Sequence, residues 1–510
     1  MSVKNSSILS MLGNMDKSTT SINLNCHDLT YLPTELYQFE SLTFLNLSCC
    51  TYLTCLSAEI GQLKLLTSLN LSACVSLTYL PVTIGKLKML TVLDLSSCRT
   101  LKYLPPELGQ LELLKKLDLS NCALTYLPVE LGRLKSLTFL DLSNNFFESI
   151  PAELGQLKHL ESLYLNNLYL SYLPVELGQL ESLKILDLRD CRNLTCLPAE
   201  LSQLKLLELL YLTDCVSLTY LPAKFSRLKL LKILDLGNCV NLTHLPAKLS
   251  RLKLLETLDL NGCCKLTHFP ANLGRLKLLE TLDLNGCFML DTIPAEFGQL
   301  KLLKKLDLTE CEGLTCLPSE LGHIILLKNL VLCSCVELTY LPAEIGQLKF
   351  LKTLVLCGCV GLTYLPAELG MLESLTLLDL SFCNNLTYLS AELGQLKLLT
   401  SLNLCGCENL TYLPSELGSL RNLTRFNSLG CILLLPELIG NNIDIIHKTL
   451  LEHFLADITP WSRSTSHSFN NLIVSVLLGI NKTVTDFDID PELLEETFTH
   501  FRKCDRCIYS

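Results

Sequence analysis

The sequence predicts an α/β repeat solenoid in which short parallel strands alternate with short helical segments, and three observations carry that prediction. Thirteen residues, RLKLLETLDLNGC, occur twice verbatim, at 251–263 and 275–287, a step of 24. The pair LP sets a register for the chain, with its proline slot at Pro33, Ser57, Pro81, Pro105, Pro128, Pro151, Pro174, Pro198 and Pro222, then in steps of 24 to Pro414; three of the early steps are 23. Between slots lies LxxLxL, with Leu in all three places in sixteen consecutive units from Leu42 to Leu404, flanked by degenerate copies at Thr19/Ile22/Leu24 and Leu423/Phe426/Ser428. Fixed-period self-similarity of this kind is the mark of stacked supersecondary units, none of which can bury its apolar face alone.

Each unit follows from its pattern. In LETLDLNGC, Leu258 and Leu260 are two apart and face one way, while Thr257, Asp259 and Asn261 face the other, which is the period of a strand. Strands travelling in the same direction in successive units form a parallel ladder. In the second half of the unit Leu273, Leu276 and Leu279 recur every third residue after a proline that punctuates the turn, so a short helical segment is expected there. The solenoid is predicted over 19–435, preceded by an N-terminal segment or cap at 1–18 and followed by a helical cap or tail at 436–510.

Composition narrows the class. Half the chain is hydrophobic (49%) and mean hydropathy is positive, yet Lys, Glu, Gly or Pro breaks every apolar run. No segment reaches the roughly 20 apolar residues of a membrane span. The opening MSVKNSSILSMLGNMDKS lacks a sustained apolar stretch with a cleavage site, so no secretory signal is expected. Twenty-six cysteines in a leucine-rich chain suit a reducing, cytoplasmic setting better than a disulfide framework. A net charge of −10 argues against nucleic acid as the main partner.

The pattern LxxLxLxxCxxLxxLPxxLGxL resembles the leucine-rich repeat family over roughly 19–435, in a variant similar to intracellular members such as plant disease-resistance receptors and Ras-group scaffolds. That resemblance implies a curved horseshoe with strands on a concave face, helical segments on a convex face, and protein binding as the activity. It also implies Asn or Cys just past each strand. Here the slot holds Cys50, Cys74, Cys98 and Cys122, then Cys191 and every 24 residues to Cys407, then Cys431; Asn145 and Leu168 interrupt it. A buried thiol donating a weak hydrogen bond to a neighbouring carbonyl is the expected role. Slots of adjacent units are close enough for a disulfide, but their side chains point in parallel, and a row cannot surround a zinc ion.

Departures from the consensus mark candidate sites. The second exposed strand position is Asp or Asn in most units, an acidic or amide ladder that is either solvated or directed at a basic partner. Its exceptions, with their neighbours, define a candidate partner-binding patch: Phe139, Tyr164, Ile185, Arg189, Leu209, Tyr211 and Ile233, a composition typical of binding hot spots. A second patch comprises Val331, Cys333, Val355, Cys357 and Leu377. On the opposite side Lys224, Arg227, Lys248, Arg251 and Arg275, with Lys229, Lys253 and Lys277, form a basic strip that either meets an acidic lipid or partner or is a solvated surface.

Beyond the repeats, NIDIIHKTLLEHFLAD and DPELLEETFTHFRKC read as amphipathic helices. The final CDRC places Cys504 and Cys507 at the spacing of half a zinc site, with His500 as a third candidate ligand and no fourth. The ending resembles that of some small intracellular leucine-rich repeat proteins. No phosphate loop, kinase, HExxH or GxSxG motif is present. No cofactor is therefore expected, and a non-catalytic recognition scaffold in signalling or defence is the preferred reading. Two alternatives are an effector resembling bacterial leucine-rich repeat ubiquitin ligases, with Cys504 as nucleophile in a tail of only about eighty residues, and a structural spacer without a dedicated ligand.

Overall fold

The computed structural model describes residues 3–428 and 430–431. The two segments read as tail helices, His500 and the Cys504/Cys507 pair lie outside the described residues. The described residues fall into two compact units, the first ending at Leu282 and the second beginning at Asp283.

The first unit opens with α1 (Val3–Gly13), whose Ile8 and Leu12 are buried against the first repeat, as a cap on an open repeat end requires. Three-residue strands then follow from β1 (Ser21–Asn23) to β11 (Thr257–Asp259), each paired in parallel, residue for residue, with the next. The second unit repeats the arrangement from β13 (Lys305–Asp307) to β18 (Arg425–Asn427). In each strand the middle residue is buried and the outer two are half-buried or exposed, except in β8 (Ile185–Asp187), where Asp187 is buried as well. The Leu after the strand is buried too, so Leu258 and Leu260 both belong to the core.

The segments after the prolines are 3-10 turns of mostly five residues, such as Ala271–Arg275, rather than α-helix. Leu131 donates to the Pro128 carbonyl at 3.1 Å and Leu134 to Leu131 at 3.1 Å, successive i to i+3 bonds. A 3-10 helix has three residues per turn, so the three-residue spacing of Leu273, Leu276 and Leu279 fits it better than the 3.6 of an α-helix. Leu276 ends the turn and Leu279 already leads into the next strand.

Two recurrent backbone requirements explain why the repeats look so alike. The residue before each cysteine slot has positive φ, so Asn121, Asn144, Asn167, Asp190, Asp214, Asn238 and Gly262 hold it in consecutive units. The Gly of LG sits under the next turn: a Cβ on Gly155 would lie 2.2 Å from the Glu176 carbonyl oxygen.

The cysteine slot behaves as its chemistry suggests. Cys50 donates from Sγ to the Leu24 carbonyl at 3.2 Å, Cys74 to Leu47 at 3.1 Å and Cys215 to Leu188 at 3.2 Å, each bond stitching one unit to the one before. Asn145 covers its own slot and the gap left by Leu168. Its Nδ2 donates to the Leu119 carbonyl at 2.8 Å and the Leu142 carbonyl at 2.9 Å, and its Oδ1 accepts from the Leu124 amide. All 24 described cysteines are free thiols.

Candidate functional site

The strand-face patch is built on β6 (Phe139–Asp141), β7 (Ser162–Tyr164), β8 (Ile185–Asp187), β9 (Leu209–Tyr211) and β10 (Ile233–Asp235). Register sorts its side chains into two columns. Phe139, Ser162, Ile185, Leu209 and Ile233 occupy the first, and Asp141, Tyr164, Asp187, Tyr211 and Asp235 the second. All six apolar and aromatic members of the patch are half-buried; Ile185, Leu209 and Ile233 are direct rung neighbours, and Tyr164 and Tyr211 flank Asp187. The Phe139 and Tyr164 rings lie 5.4 Å apart at 43°, and Lys116 Nζ stands 4.9 Å from the Phe139 centroid.

At the centre is Asp187, whose side chain is 1% exposed although it stands on the outer face of the ladder. Its rung neighbours are Tyr164 and Tyr211. Arg189 closes over it: Nε donates to Oδ1 at 3.0 Å, an NH2 nitrogen to Oδ2 at 2.5 Å, and the Arg189 amide also donates to Oδ1. The guanidinium carbon lies 5.3 Å from the Tyr211 centroid, within reach of a cation–π contact. The bond to Asp187 holds the Arg189 pKa up, and burial pushes the Tyr211 phenol up against the opposing pull of Arg189. The result is a surface of rings and branched side chains around a neutralised ion pair.

The Asp/Asn ladder proves to have a local role that sequence reasoning missed. Asp94 accepts from the Ser96 amide at 3.0 Å, Asp118 from Ser120 at 3.2 Å, Asp141 from Ser143 at 2.9 Å and Asn70 from Ser72 at 2.8 Å. These are side-chain turns that satisfy the amide of the second residue past the strand. The signal was the spacing itself, Asp or Asn two residues before a turn in most units. Tyr164, Tyr211, Val331 and Val355 cannot accept such a bond, so each exception forgoes roughly 1 kcal/mol.

The stacked pair Phe146 and Tyr169 was also missed; both rings are more than half exposed, with centroids 6.2 Å apart at 13°. Each directly follows one of the two non-cysteine slots, Asn145 and Leu168, which was the available clue.

In the second unit Val331 on β14 (Asn329–Val331) pairs with Val355 on β15 (Thr353–Val355), and Leu377 lies across from Thr353. Cys333 and Cys357 follow one rung apart, and burial, with the neighbouring thiol, pushes the Cys333 pKa up to about 12. This patch lacks rings and any clamp like Arg189.

The basic strip lies on three successive turns, with Lys224 and Arg227 on Ala223–Arg227, Lys248 just before and Arg251 within Leu249–Arg251, and Arg275 on Ala271–Arg275. All five are exposed. Lys229 and Lys253 instead reach along the stack to the Arg251 and Arg275 carbonyls at 3.2 and 3.1 Å, so they tie turns together. Burial and the nearby Arg251 and Lys253 charges lower the Lys229 pKa. Among the described residues no cluster of three His, Cys, Asp or Glu could hold a metal, and no helix is long and apolar enough to cross a membrane.

The comparisons agree with this architecture. A leucine-rich repeat region is matched at residues 18–156 and a leucine rich repeat at 278–300. A leucine-rich repeat protein of Leptospira interrogans is 33% identical over 82% of this chain and 98% of its own, with a TM-score of 0.60. The Arabidopsis receptor kinase HAESA, solved with the peptide hormone IDA and the co-receptor SERK1, is 24% identical over 80% of this chain and 69% of its own, with a TM-score of 0.53. No curated protein matches the sequence. With its repeat register, its parallel ladders and a bacterial relative that it covers almost end to end, the chain belongs to the leucine-rich repeat family.

Proposed function

We propose that this protein is a non-catalytic recognition scaffold working inside the cell in signalling or defence, and that the strand face of β6 to β10 docks a protein partner. The observation that carries the reading is the pair of substitutions around Asp187. Tyr164 and Tyr211 stand where most units place a turn-forming Asp or Asn, and Arg189 neutralises the carboxylate between them. Giving up two backbone-satisfying bonds for two half-buried rings is costly to the fold and useful to an interface, where Tyr and Arg supply much of the binding energy.

The chemistry of the partner follows from the surround. An apolar anchor fits against Ile185, Leu209 and Tyr211, and a basic flank would meet Asp235 and Asp259 on the adjoining rungs. Buried thiols held protonated suit packing rather than nucleophilic attack, and free thiols at every described cysteine suit a reducing compartment.

The test is affinity capture from native lysate with the intact chain and with a Tyr164→Ala, Ile185→Ser, Tyr211→Ala variant of confirmed fold. A partner retained by the first and lost by the second supports the reading. Identical recoveries would contradict it.

A further inference from the structure

Three consecutive turns of the first unit reverse their charge together. The second residue after the proline slot is Glu in every other repeat except at Thr83, but at these turns it is Lys224, Lys248 and Asn272. Three residues on, Gln156, Gln179 and Gln203 give way to Arg227, Arg251 and Arg275. Two residues further, Lys205, Lys229, Lys253 and Lys277 run without a break. The turn itself asks for none of this, since Val175–Gln179 and Ala199–Gln203 form with Glu and Gln in the same places.

The lysine column shows the electrostatic consequence. Where it changes sign along the stack it pairs, Lys158 with Glu181 at 3.5 Å and Lys349 with Glu373 at 3.0 Å. In the strip the next residue of the column is always Lys. Lys229 and Lys253 keep only carbonyl partners, those of Ser226, Arg251 and Arg275, and the like charges of Arg251 and Lys253 add to burial in lowering the Lys229 pKa. Lys224, Arg227, Lys248, Arg251 and Arg275 are exposed, and none has an ion-pair partner among the described residues.

We infer that this strip is a second docking surface, and that its occupant is a carboxylate-rich segment of a partner protein. Charge gives the sign: stacked cations without counter-charges, in a chain of net charge −10, are relieved by an anion. Extent gives the shape. Glu153, Glu176 and Glu200 occupy the turns directly before, so the positive face is three turns wide. A plane of anionic headgroups or a length of duplex would meet those glutamates as well as the cations, whereas a short peptide seats on the strip alone. From 221 to 287 no large apolar side chain is exposed among the described residues, so the anchors of interfacial membrane binding are absent. The Arg column offers planar forks that carboxylates accept from bidentately. Because each exposed contact is screened and weak, several carboxylates on one chain are needed rather than one small anion.

The experiment is a fluorescence-anisotropy titration of labelled hexaglutamate with the full-length chain at low salt. Two variants accompany it, Arg227→Gln/Arg251→Gln/Arg275→Gln and Lys224→Glu/Lys248→Glu. Both restore the residues of the neighbouring turns, and their thermal unfolding should match the parent. Saturable binding is expected, weakened at least about tenfold by either set and weakened again by added salt. The strand-face triple variant should bind hexaglutamate normally, which separates this surface from the one proposed above. Absence of saturable binding at millimolar peptide, or an affinity unchanged in both strip variants, would overturn the proposal. So would capture of the chain by phosphatidylserine vesicles without binding of hexaglutamate, which would assign the strip to a lipid surface.

Discussion

Single side chains stitch the units of this protein together. The slot thiols donate to carbonyls of the preceding unit, and burial pushes the pKa of Cys74, Cys122, Cys191, Cys239 and Cys311 up to about 12. Cys239→Ala removes the donor to the Leu212 carbonyl without overfilling the slot, so a loss of about 1–3 kcal/mol is expected from the denaturant midpoint. A pH dependence follows from the same thiols. In the unfolded chain they ionise at about 8.5, whereas in the fold they keep their protons to about 12. Between those values the folded state binds more protons than the unfolded one, so this contribution to stability is fully present below the lower value and falls as pH rises through the window. Unfolding midpoints taken across that range should decline, and less steeply in a variant with several slot thiols replaced by Asn, the residue that fills the slot at Asn145. A flat profile would mean the thiols are not sheltered.

At the scale of the element, the strand exit and the turn impose opposite demands. The turn needs room, and Gly155→Ala would drive a Cβ into the Glu176 backbone, with an expected loss of more than about 1 kcal/mol in thermal or denaturant unfolding. The strand exit needs an acceptor, which Val331 lacks. Val331→Asn should restore the bond to the Cys333 amide and give an amide able to reach Asp307, as Asn403 reaches Asp379 at 3.1 Å. A gain of about 0.5–1.5 kcal/mol in unfolding free energy is expected. No gain would show that the exceptions to the ladder carry no stability cost, which would weaken the case for the strand face.

What the sequence made legible divides along the same line. Strand positions, parallel stacking and the thiol slot were readable because Leu42, Leu45, Leu47 and their repeats encode burial directly, and burial is what a strand three residues long depends on. The candidate patch was readable as departures from the pattern, and the ladder register does bring Phe139, Tyr164, Ile185, Leu209, Tyr211 and Ile233 together. The fate of Asp187 was not readable. As a residue type it matches the solvated Asp row, and only the flanking rings and the Arg189 fork, contributed from neighbouring rungs and from the strand exit, bury it. The turn form was half readable, since a spacing of three fits either helix and the close approach over Gly155 is a property of the stack rather than of one unit.

For the whole molecule the claim is that recognition is concentrated where the repeats differ and structure where they agree. Near-identical repeats such as 251–263 and 275–287 supply length and rigidity, while β6 to β10 supply a surface that the consensus would not produce. The most direct test is site-specific photocrosslinking with a photoreactive side chain at Leu209 on the strand face, or at exposed Val129 on a 3-10 turn, in full-length protein exposed to native lysate. A discrete covalent adduct from Leu209 and none from Val129 is the predicted result. Equal adducts from both positions, or an adduct from Val129 alone, would contradict the assignment of the strand face as the recognition surface.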